Sequence, residues 1–298
     1  YYGLAIGFVI IAGAYGAGAV SGGCFNPAVA VGIDFANAGV SFGFCILYTA
    51  FELVGAALAA LFFKLVRPGD FGAEPAASTA FISEFLGTYM LVLTVGLNVL
   101  GKSVAGAFSI AASLTSMIYA LGDVSGAHFN PAVTVAIVAT GRVPDLTPTK
   151  AAKYVVSQLV GGTAAAFTYA LIYAGQSFPL GPVNGSSWSQ VALAEVMFTF
   201  VLCYIVLCVA VSPRTKSTHM FGLAIGSCVT VGGCAIGGVS GGSLNPAVSF
   251  GIAEAQVLNG GFFWKALVYS IFEIIGGVLA AGAFSVTHAV DLRADDKF

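Results

Sequence analysis

Ser-Gly-x-x-x-Asn-Pro-Ala-Val is written three times in this chain: SGGCFNPAV from Ser21, SGAHFNPAV from Ser125 and SGGSLNPAV from Ser240. The chemistry these residues offer is hydrogen bonding, not bond making. Asparagine is a strong N-cap and proline suits the first helical position, so each Asn-Pro-Ala starts a helix abruptly. The Ser-Gly pair upstream lets the backbone fold back through crowded surroundings. A short helix that begins inside a bilayer points its positive dipole end and the asparagine amide at the membrane centre. Backbone placed there must line a cavity or be buried in protein. Two such helices from inverted repeats meet N-terminus to N-terminus, offering hydrogen bonds to a neutral molecule and a positive potential against cations and protons. A single Asn-Pro-Ala reads as an ordinary helix start, whereas three copies with the same Ser-Gly make a specific signal.

The rest of the composition demands a lipid solvent. Of 298 residues 58% are hydrophobic and 8% charged, with a mean hydropathy of +0.95, against roughly 25% charged residues in soluble domains. A net charge of −2 gives no basic face for nucleic acid. The cysteines at 24, 45, 203, 208, 228 and 234 lie mostly in apolar segments without ligand spacing and read as small buried hydrophobes, so no metal and no cofactor is expected. His128, His219 and His288 form no catalytic set with a nucleophile, which argues against an enzyme.

A membrane-crossing helix needs about 20 mainly apolar residues. Eight segments qualify, near 1–20, 42–66, 79–99, 104–122, 150–174, 189–211, 220–238 and 262–289. The apolar pieces that follow each motif, near 26–35, 130–140 and 245–254, are too short to span and read as re-entrant half-helices. Placing 67–78, 141–149, 212–219 and the C-terminus on one side gathers Lys64, Arg67, Arg142, Lys150, Lys153, Arg214, Lys216, Arg293 and Lys297 there, leaving Lys102 and Lys265 opposite. The bias marks the first side as cytoplasmic. The expectation is an integral, multi-pass membrane protein whose first partner is the lipid bilayer.

On its motifs the sequence resembles the aquaporin, or major intrinsic protein, family. SEFLGT at Ser83–Thr88 and SGAHFNPAVT at Ser125–Thr134 look like a member's first half, and AEVMFTF at Ala194–Phe200 with SGGSLNPAVS at Ser240–Ser249 like its second. The resemblance implies an all-α membrane protein of inverted repeats, here with about eight transmembrane helices and three half-helices. It implies a pore for water or a small neutral solute beside Asn130, Pro131, Ala132, Asn245, Pro246 and Ala247. It further implies a homo-oligomer or a tandem pseudo-tetramer. By the same resemblance, Glu84 and Glu195 brace the loop backbone behind each half-helix, a carboxylate in a span needing a partner. Glu52 and Glu273, where the first half has Gln158, read as structural hydrogen-bonders. The family's outer constriction falls on Ile110, Gly233, Gly242 and Val248. Valine stands where the family's arginine is usual, which implies an opening wider and drier than a strict water filter.

The third copy, Asn26, Pro27 and Ala28, explains the odd count. Residues 2–35 match 221–254 at 17 of 34 positions but 106–139 at 13, and YTAFELVGAALAA (48–60) echoes YSIFEIIGGVLAA (269–281). Residues 1–70 therefore read as a second-half repeat lacking its first span, 71–78 as a cytoplasmic linker, 79–290 as a complete unit and 291–298 as a cytoplasmic tail. That reading expects a further first-half repeat upstream of Tyr1, the alternative being a half-unit appended to a normal channel. The functional expectation is a passive channel for water and small neutral solutes of glycerol or urea type. The alternative is a degenerate aquaporin serving as a structural subunit of a membrane assembly.

Overall fold

The computed structural model describes residues 1–37 and 43–289, so the expected tail at 291–298, with Arg293 and Lys297, lies outside the described residues. The described chain is helical throughout. Eight helices are long and apolar enough to cross a membrane: α1 (Tyr2–Ser21), α3 (Phe44–Val66), α4 (Ser78–Leu100), α5 (Gly106–Ser125), α7 (Pro148–Ile172), α8 (Trp188–Val206), α9 (Phe221–Ser240) and α11 (Trp264–Thr287). Between them lie three short helices, α2 (Pro27–Ala36), α6 (Pro131–Thr140) and α10 (Pro246–Val257). The last turn of α8 widens into a π-turn at Leu207–Val211.

Residues 78–287 hold two like-ordered sets, α4–α7 and α8–α11, each of two spans, a half-helix and a third span. The sets interlock. Helix α4 packs on α7, α8 on α11, and α5 meets α9 along the seam between sets. The half-helices cross over, α6 lying against α11 and α10 against α7.

Paired glycines make that crossing possible. A β-carbon on Gly162 of α7 would stand 2.5 Å from the Ala247 carbonyl in the first turn of α10, and one on Gly277 of α11 would stand 2.8 Å from the Ala132 carbonyl of α6. Neither carbonyl can retreat, because each belongs to a helix fixed at both ends. Gly162→Ala is therefore expected to lower stability by about 1–3 kcal/mol. Gly282→Ala, where an added β-carbon meets nothing within 4 Å, should instead be neutral or stabilising by up to about 1 kcal/mol, since alanine is the better helix former. Thermal unfolding of both variants in one detergent checks the opposite signs.

Helices α1–α3 sit outside this body. Helix α1 runs along α5 and touches α4. Two serines of α5 reach its backbone, Ser109 Oγ donating to the Ala12 carbonyl and Ser116 Oγ to the Ala5 carbonyl, each at 3.1 Å, while Tyr1 stacks on Tyr119. The chain after α3 is tied back by Arg67, whose Nη2 donates to the Ala120 carbonyl at 3.0 Å. The rest of this piece is open: Ile46, Phe51 and Leu53 of α3 and Ile33 and Phe35 of α2 are all exposed, as suits surface in contact with lipid.

The cysteines depart from the sequence expectation. None of the six is in a disulfide, but only Cys203 and Cys228 are buried; Cys24, Cys45 and Cys208 are half-buried and Cys234 exposed. In a bilayer an apolar side chain gains as much from lipid as from protein, so apolar context did not fix burial.

Candidate functional site: a lumen between two half-helices

Each residue of the repeated motif has an identifiable role. The glycine after the serine is the left-handed C-cap of the preceding span, with φ of 76°, 91° and 88° at Gly22, Gly126 and Gly241. The asparagine Oδ1 accepts from the N–H two residues on, at 2.9, 2.8 and 2.9 Å in Asn26, Asn130 and Asn245. Proline follows at the first helical position. The residue before asparagine is left-handed without being glycine: Phe25, Phe129 and Leu244 have φ of 55°, 51° and 57°, a conformation that costs on the order of 1 kcal/mol or more.

In the complete unit that strain has a use. Asn130 Nδ2 donates to the Leu244 carbonyl at 2.8 Å, and Asn245 Nδ2 donates to the Phe129 carbonyl at 2.9 Å. The left-handed turn in each loop aims a carbonyl at the opposite asparagine, and the two loops lock together by a reciprocal pair of bonds. One hydrogen of each amide is thus engaged across the interface instead of pointing freely into the lumen, as the sequence alone suggested.

Behind each loop stands a buried carboxylate. Glu84 accepts from Ser125 Oγ at 2.6 Å, from the His128 and Phe129 N–H groups at 3.0 and 2.8 Å, and from Gln158 Nε2 at 2.8 Å. Glu195 accepts from Ser240 Oγ at 2.6 Å and from the Ser243 and Leu244 N–H groups at 3.1 and 2.9 Å. Glu273 accepts from the Asn245 N–H at 3.0 Å and from Ser249 Oγ at 2.9 Å. In the first half, Gln158 bonds Thr134 Oγ1 at 3.0 Å, as Glu273 bonds Ser249. His128 lies 3.1 Å from the same Thr134 hydroxyl. Glu52 differs: both its oxygens are buried and meet no partner among the described residues, so the expectation of a structural hydrogen-bonder does not hold for it. Its counterparts of Ser243 and Ser249 are Cys24 and Ala30, which removes the hydroxyl that Glu273 uses.

One elongated cavity of about 500 Å³ passes the asparagine pair. Asn130 and Asn245 line it, and so do all four expected filter residues, Ile110, Gly233, Gly242 and Val248. Its outer end is walled by Lys102, Phe178 and Leu180, its inner end by Ile118, Val206 and Ile225. Among the described lining residues, Lys102 at the outer rim is the sole Lys, Arg, Asp or Glu. Gly242 approaches Gly233 closely: a β-carbon on Gly242, held at φ 67°, would stand 3.4 Å from the Gly233 Cα. Val248 is buried. Asn26, Pro27 and Ala28 take no part in this lumen.

Several residues of the site were not singled out from sequence. Gln158 and Thr134 complete the Glu84 network. Gly162 and Gly277 clamp the half-helices, and their signal, a Gly-Gly pair three and four residues after Gln158 and after Glu273, is visible in both halves. Asn98 and Ser103 line the outer vestibule, with Asn98 Oδ1 and Ser103 Oγ buried and without a partner among the described residues; they lack a counterpart in the motif.

Interlocked re-entrant half-helices around a lumen, inside a bundle of membrane-spanning helices, define a multi-pass integral membrane channel. The family model of the major intrinsic protein matches the chain over residues 2–97 and again over 72–284, and the chain belongs to the major intrinsic protein family, whose members are passive channels and not enzymes. Its curated relatives include aquaporin NIP1-4 of Oryza sativa, 31% identical over 223 residues and covering 72% of this chain and 78% of that one. Aquaporin AqpM of Methanothermobacter thermautotrophicus is 35% identical over 231 residues, covering 71% and 88%. Among solved structures, the aquaglyceroporin from Plasmodium falciparum superposes with a TM-score of 0.58 at 19% identity over 72% of this chain and 98% of that one, a likeness of fold.

Proposed function

We propose that this chain conducts water and small neutral solutes of glycerol or urea size through the lumen of residues 79–290. The observation that carries the reading is the reciprocal bonding of Asn130 and Asn245 beside one cavity, with the N-termini of α6 and α10 facing each other. Each amide has a second hydrogen for a passing solute, and the converging dipole ends set a positive potential against cations and protons. Ile110, Gly233, Gly242 and Val248 form the outer constriction, and Glu84 and Glu195 hold the loops in place. We read residues 1–70 as a second-half repeat lacking its first span, joined by the linker 71–78. The two family matches and the like geometry of the three motifs support this organisation. The docking of α1 on α4 and α5 supports a tandem arrangement in which units pack side by side.

Stopped-flow shrinkage of proteoliposomes in an osmotic gradient tests conduction. Liposomes with the protein should shrink several-fold faster than empty ones, and Ile110→Trp, which places an indole in the lumen, should return the rate to near the empty value. A rate equal to that of empty liposomes would favour the second reading, a structural subunit; the missing donor at Val248 is the observation on its side.

A further inference from the structure

On the side that the charge bias marks as cytoplasmic, the chain joining α3 to α4 borders a cavity of about 610 Å³ with the ends of α4, α5 and α7. Three cations line it, Arg67, Lys150 and Lys153, together with two carboxylates, Asp70 and Asp123. Arg67 and Lys150 are half-buried, whereas both carboxylates are exposed. Arg67 Nη2 donates to the Ala120 carbonyl at 3.0 Å, which fixes the guanidinium without neutralising it. Lys150 Nζ lies 5.8 Å from the centre of the Tyr154 ring and Lys153 Nζ 5.7 Å from that of Phe81, so apolar stems rest on aromatic surface while the charged heads stay wet. Among the described residues none of the three cations forms an ion pair.

Two helix starts add to this charge. Helix α4 begins at Ser78 and α7 at Pro148, neither has an acidic residue in its first turn, and Ala77 gives α4 no side-chain cap. Thr79, only 7% exposed, also lines the cavity, and its hydroxyl forms no hydrogen bond among the described residues. Lys150 stands in the first turn of α7, where a cation faces the positive end of the helix dipole. An anion in the cavity would turn each of these unfavourable placements into a favourable one.

We propose that this pocket binds a phosphate group. Arg67, Lys150 and Lys153 supply charge-assisted hydrogen bonds, and the Thr79 hydroxyl and the first N–H groups of α4 supply neutral ones. Asp70 and Asp123, exposed to water, repel the anion only through a screened interaction. The same phosphate chemistry is offered by an anionic phospholipid of the adjoining leaflet and by a soluble phosphate. The pocket shares no lining residue with the lumen, so the inference stands whether or not the lumen conducts.

The test uses the 298-residue chain in detergent micelles. Native mass spectrometry should show the first phosphatidic acid binding about tenfold tighter than phosphatidylcholine. The double variant Lys150→Gln with Lys153→Gln should lose that preference. Lys64→Gln with Lys216→Gln, which removes the same charge from the same face outside the pocket, should keep it. Ala77→Asp, at an exposed position, puts a carboxylate into the pocket without removing a contact, and should also abolish the preference even if the glutamine pair folds poorly. Unfolding temperature in inorganic phosphate, against chloride of equal ionic strength, separates the sources. A rise that the pocket variants abolish assigns a soluble phosphate, and a lipid preference without that rise assigns the lipid. Absence of both effects, equal losses in the two double variants, or full binding by Ala77→Asp would overturn the proposal.

Discussion

Glu195→Leu is expected to leave little folded protein. The carboxylate is fully buried and accepts from the Ser240 hydroxyl and the Ser243 and Leu244 N–H groups. Leucine fills a similar volume but orphans three donors, each costing about 1–3 kcal/mol when buried without a partner. Even at the low end the sum is a large part of the 5–15 kcal/mol that holds a typical domain together. The Leu244 carbonyl, which accepts from Asn130, sits in the same loop, so the loss spreads to the opposite half-helix. Glu195→Gln keeps an acceptor oxygen but turns an amide hydrogen toward one of the three donors, and its loss should be intermediate. Glu84→Leu should behave like Glu195→Leu, since it orphans Ser125, His128, Phe129 and Gln158 together. The monodisperse yield on gel filtration and the unfolding temperature measure this order. A Glu195→Leu protein of native stability would show that the loop is held by other means.

Val248→Arg is the second large effect, and it falls on selectivity. Ile110, Gly233, Gly242 and Val248 line one cavity, and none of the four side chains donates a hydrogen bond. An arginine there adds a fixed charge and donors while taking up space. On the proposed reading the lumen carries water, so the charge need not be desolvated and folding should survive. Glycerol and urea flux should fall tenfold or more, water flux by a smaller factor, and proton leak should drop. The measurement is paired stopped-flow permeability to water, glycerol and urea with a pH-sensitive dye. Equal losses for all solutes would mean that position 248 blocks the lumen without discriminating; no change in any would mean that it does not set the constriction.

Most of the architecture is written in local patterns. Apolar runs of span length, Asn-Pro at a helix start and Ser-Gly before it are short-range signals, each with its own physical cause, and the helices begin and end within a few residues of where those signals fall. The motif positions Ser125, Gly126, Asn130 and Pro131 could be assigned their tasks because an N-cap, a C-cap and a first-turn proline depend on neighbours a few residues away. The carboxylates were legible as needing partners, since an acid inside a span cannot stand alone, but their donors come from residues over 40 positions distant.

What only the tertiary structure decided are the choices made between distant atoms. The sequence placed two asparagines at facing helix starts; it took the packed halves to show that each amide is caught by the other loop's carbonyl, because that bond depends on the left-handed turn at Phe129 and Leu244. It made Glu273 and Glu52 look alike, and the structure separated them. The main-chain N–H of Asn245 and the hydroxyl of Ser249 reach the first, whereas the second meets no partner among the described residues. Burial of the cysteines was likewise undecidable, since a lipid-facing and a protein-facing apolar residue have the same local sequence and differ only in what lies opposite. Short-range order follows from the order of residues along the chain; which buried polar group finds a partner follows from which helices meet.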